Sequence, residues 1–512
     1  MTSTATDRTF LYNANVLTLD PGDALATGLL IEDGRVAQVV HDGDVISGGD
    51  RMIDLEGATI LPGFIDPHCH PLALGAAMAS IDCSPATVSS VAEIGERIAR
   101  AAADTPSGWI RARGHDELLL AEKRHPNAVD LDVAAPGRLI RLSHGSGHGD
   151  VLSSAAMSAL GINRTTVVPP GGTIECDSVT GEPTGVLFEM GGWIRDRLPK
   201  PSEIDLQRYA KAASDQLVGA GVTSVTDAGR DNSADKLALY SGLTTDGRFM
   251  PRPTVMLSPE ACRTGVENTR CVRIGATKIA ITFSGGEMHP EFDALVETIR
   301  TEHHANRQVA IHAVELEAVI MATEAFAIVG SRIENLALRH RLEHASECPP
   351  EVARNIADAG LSVVTQPGFI HERGDRYLIA QRSGGAKTED LYAAKNLIDA
   401  GVHVAASSDA PVGPASPLIA IQAAVTRNAS GGGSVGPSQA ISVGQALRMY
   451  GPNAAWMNHL EAEIGTIEPG KRADLVVLQN NPHGVDPQQI GSIPVLATLI
   501  GGKTVSGTLP GN

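Results

Sequence analysis

Aromatic side chains are scarce: eight Phe, six Tyr and three Trp make up 3% of the 512 residues. That is too few to floor a groove on which the bases of single-stranded nucleic acid could stack. Basic charge is also in deficit, with 41 Lys plus Arg against 59 Asp plus Glu and a formal charge of −18. A surface this acidic repels phosphate backbones and anionic headgroups, which argues against nucleic acid or membrane as the main partner. No run of 18 or more apolar residues occurs, so no spanning helix is expected. The opening MTSTATDRTF has no basic stretch leading into a long apolar core, so no secretory signal is read and the cytoplasm is the expected address. The six cysteines (69, 83, 176, 262, 271 and 348) contain no CxxC pair. In a chain of this size they read as reduced core residues, not as a disulfide frame. No repeat of fixed 20–50-residue period is found.

What recurs instead is a unit: a short β-rich apolar run, a polar residue at its end, then a helical stretch. PGFIDPHCH (62–70) is the first, followed by GVTSVTDAG (221–229), RPTVMLS (252–258), TKIAITFSGG (277–286), QVAIHAV (308–314), LRHRLEHA (338–345), LSVVTQP (361–367) and VHVAASSDAP (402–411). Helix-like segments such as EFDALVETIRTEHHAN (291–306) and PPEVARNIADAG (349–360) lie between them and end near Asn or Gly. Eight such units, seven of them between residues 221 and 411, predict an α/β fold of the (β/α)8 TIM-barrel type. Residues 9–61 alternate like antiparallel strands with an Asp-Gly hairpin signal, and RADLVVLQNNP (472–482) and VLATLIGGKTVSG (495–507) repeat that pattern. The expected organisation is a composite β-sandwich from 1–61 plus 462–512 and a barrel over 62–461. A long insertion at about 75–215 follows barrel strand 1, and its own fold is not legible.

The stretch ILPGFIDPHCHP (60–71) ends in two histidines one residue apart. Strand side chains alternate faces, so His68 and His70 project to one side, at the C-terminal end of a barrel strand where barrel active sites lie. Imidazole is a common ligand for zinc and similar ions, yet an isolated HxH is as readily two exposed histidines. Further strand ends carry Lys278, His312, His344 and Asp409. Each alone reads equally well as a hydrogen-bonded or salt-bridged core residue, Lys278 above all. Gathered at one barrel mouth, the six predict a divalent metal site.

PGFIDPHCH, TKIAI, IHAVE, RHRLEHA and SSDAPVGPASPL together resemble the metal-dependent amidohydrolase superfamily, in particular the amidohydrolase-3 branch that includes N-substituted formamide deformylase-like enzymes. GVTSVTDAG, VVTQPGF, SPLIAIQAAVTR and the tail EIGTIEPGKRADLVVL extend the resemblance almost end to end. It implies that His68, His70 and Asp409 bind one metal and His312 and His344 a second. Lys278 would bridge them as a carbamate, since an ammonium has no lone pair to offer. One or two divalent ions are implied, zinc first, with cobalt or manganese as alternatives. Such ions acidify a water for attack on an amide-like carbonyl, with Asp409 as general base and then acid. The implied substrate is a small molecule of N-acyl, N-formyl or carbamate type, and the implied assembly is a homo-oligomer, dimer or larger.

Three more residues are candidate substrate contacts. His148 lies in GSGHGDVLSS, which resembles the branch's GH…NS segment, although the same histidine could simply be a turn residue. His115 in GHDE replaces an aromatic, and Gln366 ends the seventh strand. The glycines around His148 are a poor phosphate cradle, because no GK[ST] follows. ITFSGGEMHP (281–290) departs from the branch, placing Thr282 where an acid is expected and weakening the case for carbamylation. The same ligands would serve lactone, urea or thiocarbamate hydrolysis, or ring deamination with Glu315 as helper. A silent scaffold is disfavoured because all the ligands are kept.

Overall fold

The computed structural model describes residues 8–22, 25–44, 51–104, 107–169, 171–284 and 287–511. The opening residues of MTSTATDRTF and Gly285–Gly286 of the fourth-strand loop lie outside that set. Each of the eight short runs rich in Val, Ile and Thr is a strand: β1 (Phe64–Cys69), β2 (Val222–Asp227), β3 (Arg252–Leu257), β4 (Arg273–Ala280), β5 (Val309–Ala313), β6 (Arg341–His344), β7 (Ser362–Thr365) and β8 (Val404–Ala406). They form one parallel sheet in sequence order. β1 and β2 are buried at every position, as expected of strands covered on both faces. Past the last strand, the Asp409 N–H donates to the His68 carbonyl and the His70 N–H to the Ala410 carbonyl, both at 2.9 Å, and so join the two ends of the sheet. The result is a nearly closed α/β barrel. Helices follow the strands, among them Phe292–His304 after β4, Leu316–Val329 after β5 and Pro350–Asp358 after β6. No helix among the described residues is long and apolar enough to cross a membrane.

β4 departs from expectation. It begins at Arg273, four positions before the TKIAI run, and ends at Ala280. Arg-Ile-Gly-Ala has little strand preference of its own. Pairing of Thr254 with Arg273 and Val255 with Ile274 supplies the ladder, and Gly275 lets the backbones approach: a Cβ there would meet Thr254 Cγ2 at 3.0 Å. Thr282–Ser284 leaves the barrel and pairs with Glu287–His289 in an antiparallel ribbon.

The two chain ends build a sandwich. One sheet has the order Arg35–Val40, Gly28–Glu32, Arg8–Tyr12, Arg51–Asp54. The other runs Lys503–Gly507, Val495–Ile500, Leu475–Leu478, Thr59–Pro62, Asn15–Leu17, Leu25–Ala26. Leu11, Leu29, Ile53 and Ile60 from the N-terminal part pack with Leu475, Val477 and Leu499 from the tail. The chain divides into two compact units. Barrel and sandwich fall in residues 1–71, 210–281 and 290–512, while 72–209 with 282–289 form the second. That second unit contains a six-stranded mixed sheet ordered Thr173–Cys176, Pro183–Phe188, Gly149–Leu152, Leu139–His144, Trp109–His115, Ile81–Asp82, with helices Val91–Asp104, Ala128–Ala134 and Ser154–Leu160.

Candidate metal centre

The C-terminal ends of β1, β5 and β6 and the turn after β8 bring a group of polar side chains together. His68 and His70 emerge at the end of β1, with ring centroids 5.5 Å apart. His68 Nε2 lies 3.4 Å from Asp409 Oδ1, and His70 Nε2 lies 3.2 Å from the same oxygen. Ligand atoms of a tetrahedral zinc site, each about 2.0–2.1 Å from the ion, are separated by roughly 3.3 Å. The spacing therefore suits a shared ion. The His344 ring is 4.8 Å from that of His68 and 4.4 Å from that of His312, and His68, His344 and Asp409 form a ligand-competent group.

Register explains the convergence. His312 pairs with Glu343, and Ala313 with His344, so neighbouring strands end at one level. Simple alternation would send Glu343 and His344 to opposite faces. His344 has φ of +77°, which breaks the alternation, and Asp409 has φ of +51°. Left-handed non-glycine residues are strained by about 1–3 kcal/mol, and here two of them are candidate ligands.

Hydrogen bonds orient the rings. His68 Nδ1 bonds Glu343 Oε2, whose other oxygen accepts from Arg341 Nε at 2.6 Å; all three side chains are buried. With Nδ1 protonated toward the carboxylate, Nε2 keeps its lone pair for a metal. His344 Nδ1 donates to Gln366 Oε1 at 2.9 Å, and Gln366 Nε2 donates to Ser407 Oγ at 3.0 Å. Gln366, expected to meet substrate, is fully buried and uses its amide on these two partners. Asp66 at the head of the motif holds Ser408, accepting from Oγ at 2.5 Å and from N–H at 3.2 Å.

Among the candidate ligands of this centre, His344 Nε2 and Lys278 Nζ are buried with no hydrogen-bond partner among the described residues. Orphaned buried polar atoms are costly unless something coordinates them, so both fit a metal at this centre. Burial pushes the Lys278 amine down to about 8, against the opposing pull of Glu343 and Asp409. Burial also lowers His68 and His344, keeping them neutral and able to donate a lone pair. For Asp409, burial favours the acid, but the His70 hydrogen bond and the nearby imidazoles outweigh it and hold the carboxyl below its usual range.

Two other candidates, His148 and His115, lie in the 72–209 unit, and Glu315 lies in the barrel unit. His148 is exposed, with Nδ1 2.9 Å from Glu189 Oε1. His115 is fully buried and packs on His125 and His144. Glu315 is exposed ahead of the Leu316–Val329 helix. Sequence reasoning passed over Glu343. The signal was present in RHRLEHA, where a charged Arg-x-Glu pair occupies a strand that must be buried.

Comparison with known proteins identifies the family. A model described as the Amidohydrolase family matches residues 51–506. The N-substituted formamide deformylase of Arthrobacter pascens is 28% identical over 547 residues, covering 96% of this chain and 97% of that protein. Protein LONG AFTER FAR-RED 3 of Arabidopsis thaliana is 26% identical over 534 residues, covering 96% and 90%. The crystal structure of an uncharacterized metal-dependent hydrolase from Pyrococcus furiosus superposes with a TM-score of 0.69 at 25% identity, covering 94% of this chain and all of that one. With the family pattern running from the last strand of the N-terminal sandwich sheet, through the barrel and into the tail, this chain belongs to the amidohydrolase family.

Proposed function

We propose that the chain hydrolyses a carbon–nitrogen bond in an amide-like small molecule, of N-formyl, N-acyl or carbamate type, at the mouth of the barrel. The supporting observation is the meeting of His68, His70, His312, His344 and Asp409 beside an amine, Lys278 Nζ, that is buried and unpartnered. His68, His70 and Asp409 would hold one divalent ion and His312 and His344 a second, with zinc the first choice and cobalt or manganese compatible with the same nitrogen and oxygen donors. A bound ion supplies Lewis acidity, which lowers the pKa of water and polarises a carbonyl.

The remaining roles belong to the chain itself. The Lys278 amine, lowered to about 8, is partly neutral near pH 7. Its lone pair can add to the carbon of carbon dioxide; an N–C bond forms, a proton leaves to solvent, and the product carbamate offers oxygens in place of an ammonium. Asp409, kept ionised, accepts the proton released as water adds to the carbonyl carbon and returns it to the nitrogen as the C–N bond breaks. Glu343 and Gln366 act through His68 and His344, fixing their tautomers. His148 is the proposed substrate contact. Amide cleavage is preferred to ring deamination because Glu315, the residue a deaminase would need, is exposed.

The test is a panel of N-formyl, N-acyl, carbamate, urea, lactone and aminated-ring compounds, offered to metal-stripped protein reloaded with zinc, cobalt or manganese. Metal-dependent release of amine from the first three classes is the expected result. Turnover confined to lactones or to ring deamination would overturn the assignment of the bond.

A further inference from the structure

A second group of ligand-type side chains lies wholly within the 72–209 unit, where the barrel chemistry makes no use of it. Trp109–His115 and Leu139–His144 are adjacent parallel strands, and His115 pairs with His144 at their C-terminal ends. The segment after the first strand adds Asp116 and Glu117, and the loop before helix Ala128–Ala134 adds His125. The three imidazoles form a nearly equilateral triangle, with ring centroids 5.1, 5.7 and 5.7 Å apart. Around it, Glu117 Oε2 lies 2.8 Å from His144 Nε2 and 3.8 Å from His125 Nδ1, and His125 Nδ1 lies 3.4 Å from His115 Nε2. Asp116, Glu117 and His144 can present ligand atoms that all fall within 4.8 Å of one another.

We propose that His144, His125, His115 and Glu117 form a second, independent binding site for a divalent transition ion of the zinc class, with Asp116 at its edge. Tetrahedral zinc separates its ligand atoms by roughly 3.3 Å, and the three distances from 2.8 to 3.8 Å bracket that value. Three imidazoles and one carboxylate are a nitrogen-rich donor set that favours zinc, cobalt or nickel over magnesium or calcium. Packing three imidazoles together serves no hydrophobic purpose. His115 is completely buried, and its Nε2 is the nitrogen that faces His125 Nδ1. His144 has a place for its second proton: Nδ1 lies 2.7 Å from Ser146 Oγ, which can accept it and leave Nε2 free for the ion. Without an ion, Nδ1 can instead accept from the Ser146 N–H at 3.0 Å, leaving the Nε2 proton for Glu117.

The test is a zinc titration by calorimetry on chelator-stripped full-length protein, with bound metal counted by elemental analysis. Wild type is compared with H144A, E117Q and a barrel variant, H68A/H70A. H144A should lose one equivalent, and E117Q should weaken that equivalent by about 10-fold or more, while H68A/H70A keeps it. Cobalt loading of H68A/H70A should give the visible d–d absorption of a four-coordinate site, lost when H144A is added to that variant. If circular dichroism shows H144A unfolded, E117Q and the near-isosteric H125N carry the same expectation. The proposal is overturned if H68A/H70A binds no zinc, or if neither E117Q nor H125N changes the zinc it retains. Failure of the barrel reading would appear separately, as wild-type zinc content unaffected by H68A/H70A.

Discussion

At the scale of single residues, the barrel centre separates groups that would hold an ion from groups that hold those groups. Asp409 belongs to the first kind. In D409N the amide oxygen can still face His70 and His68 as a ligand atom, where the carboxylate oxygen lies 3.2 and 3.4 Å from their Nε2 atoms, but no carboxylate remains to carry a proton. Turnover should fall by about 10²–10⁴-fold, the range for a lost general base, with little change in bound metal by elemental analysis. A wild-type rate would remove Asp409 from the mechanism. Glu343 belongs to the second kind. E343Q keeps a hydrogen-bond acceptor for one partner but removes the charge shared by His68 and Arg341. Support of this sort is typically worth 10–100-fold in metal affinity, which competition with a chromogenic chelator would read directly. E343A goes further, leaving Arg341 buried without its carboxylate, and should cost about 3–5 kcal/mol in urea unfolding.

At the scale of elements, the eight barrel strands were legible because each is a compact β-branched run ended by a polar residue, and the candidate ligands were legible because they are those ends. What escaped the sequence has physical causes. β4 starts at Arg273 because β3 supplies the ladder that Ile-Gly-Ala would not seek alone. Glu343 escaped because alternation assigns it the face opposite His344, and only the left-handed backbone at His344 brings both to His68. Gln366 was read as reaching the mouth, yet no periodicity could reveal its bonds to His344 and Ser407. The sheet of the 72–209 unit mixes parallel and antiparallel pairs, so no single pattern announces it. Entry to β2 shows how closely elements fit. Gly221 has φ of +84°, and a Cβ there would meet Val476 Cγ2 at 2.6 Å and Phe64 Cδ2 at 3.0 Å. G221A adds left-handed strain of about 1–2 kcal/mol to overpacking of about 1–3 kcal/mol. Its denaturation midpoint should drop accordingly; an unchanged midpoint would mean that β1 and the tail strand yield more easily than their packing implies.

At the scale of the whole molecule, acid should unfold the protein partly through histidines that folding keeps neutral, and His340 isolates the effect away from both histidine clusters. It is completely buried, its ring stacked on Phe326 at 4.9 Å. Nδ1 accepts the Val309 N–H at 3.0 Å, and Nε2 faces His303 Nδ1 at 3.1 Å. Burial, and next to it the charge of His303, lowers the imidazole to about 3 from an ordinary 6.5. A histidine depressed by folding contributes stability that is fully present above the unfolded value, near pH 6.5, and is lost as pH falls toward the folded value, near 3. In between, the unfolded chain binds a proton that the folded one refuses, so stability declines by up to about 1.4 kcal/mol per pH unit from this residue. H340N removes the titration while its side-chain oxygen can still accept from Val309. At pH 8 the variant should be the less stable protein, since it forfeits the stack on Phe326. From pH 6.5 to pH 4 its melting temperature should fall less steeply than that of wild type, and the two curves should converge. Parallel curves would show that His340 takes up its proton in the folded state at an ordinary pH, despite the packing around it.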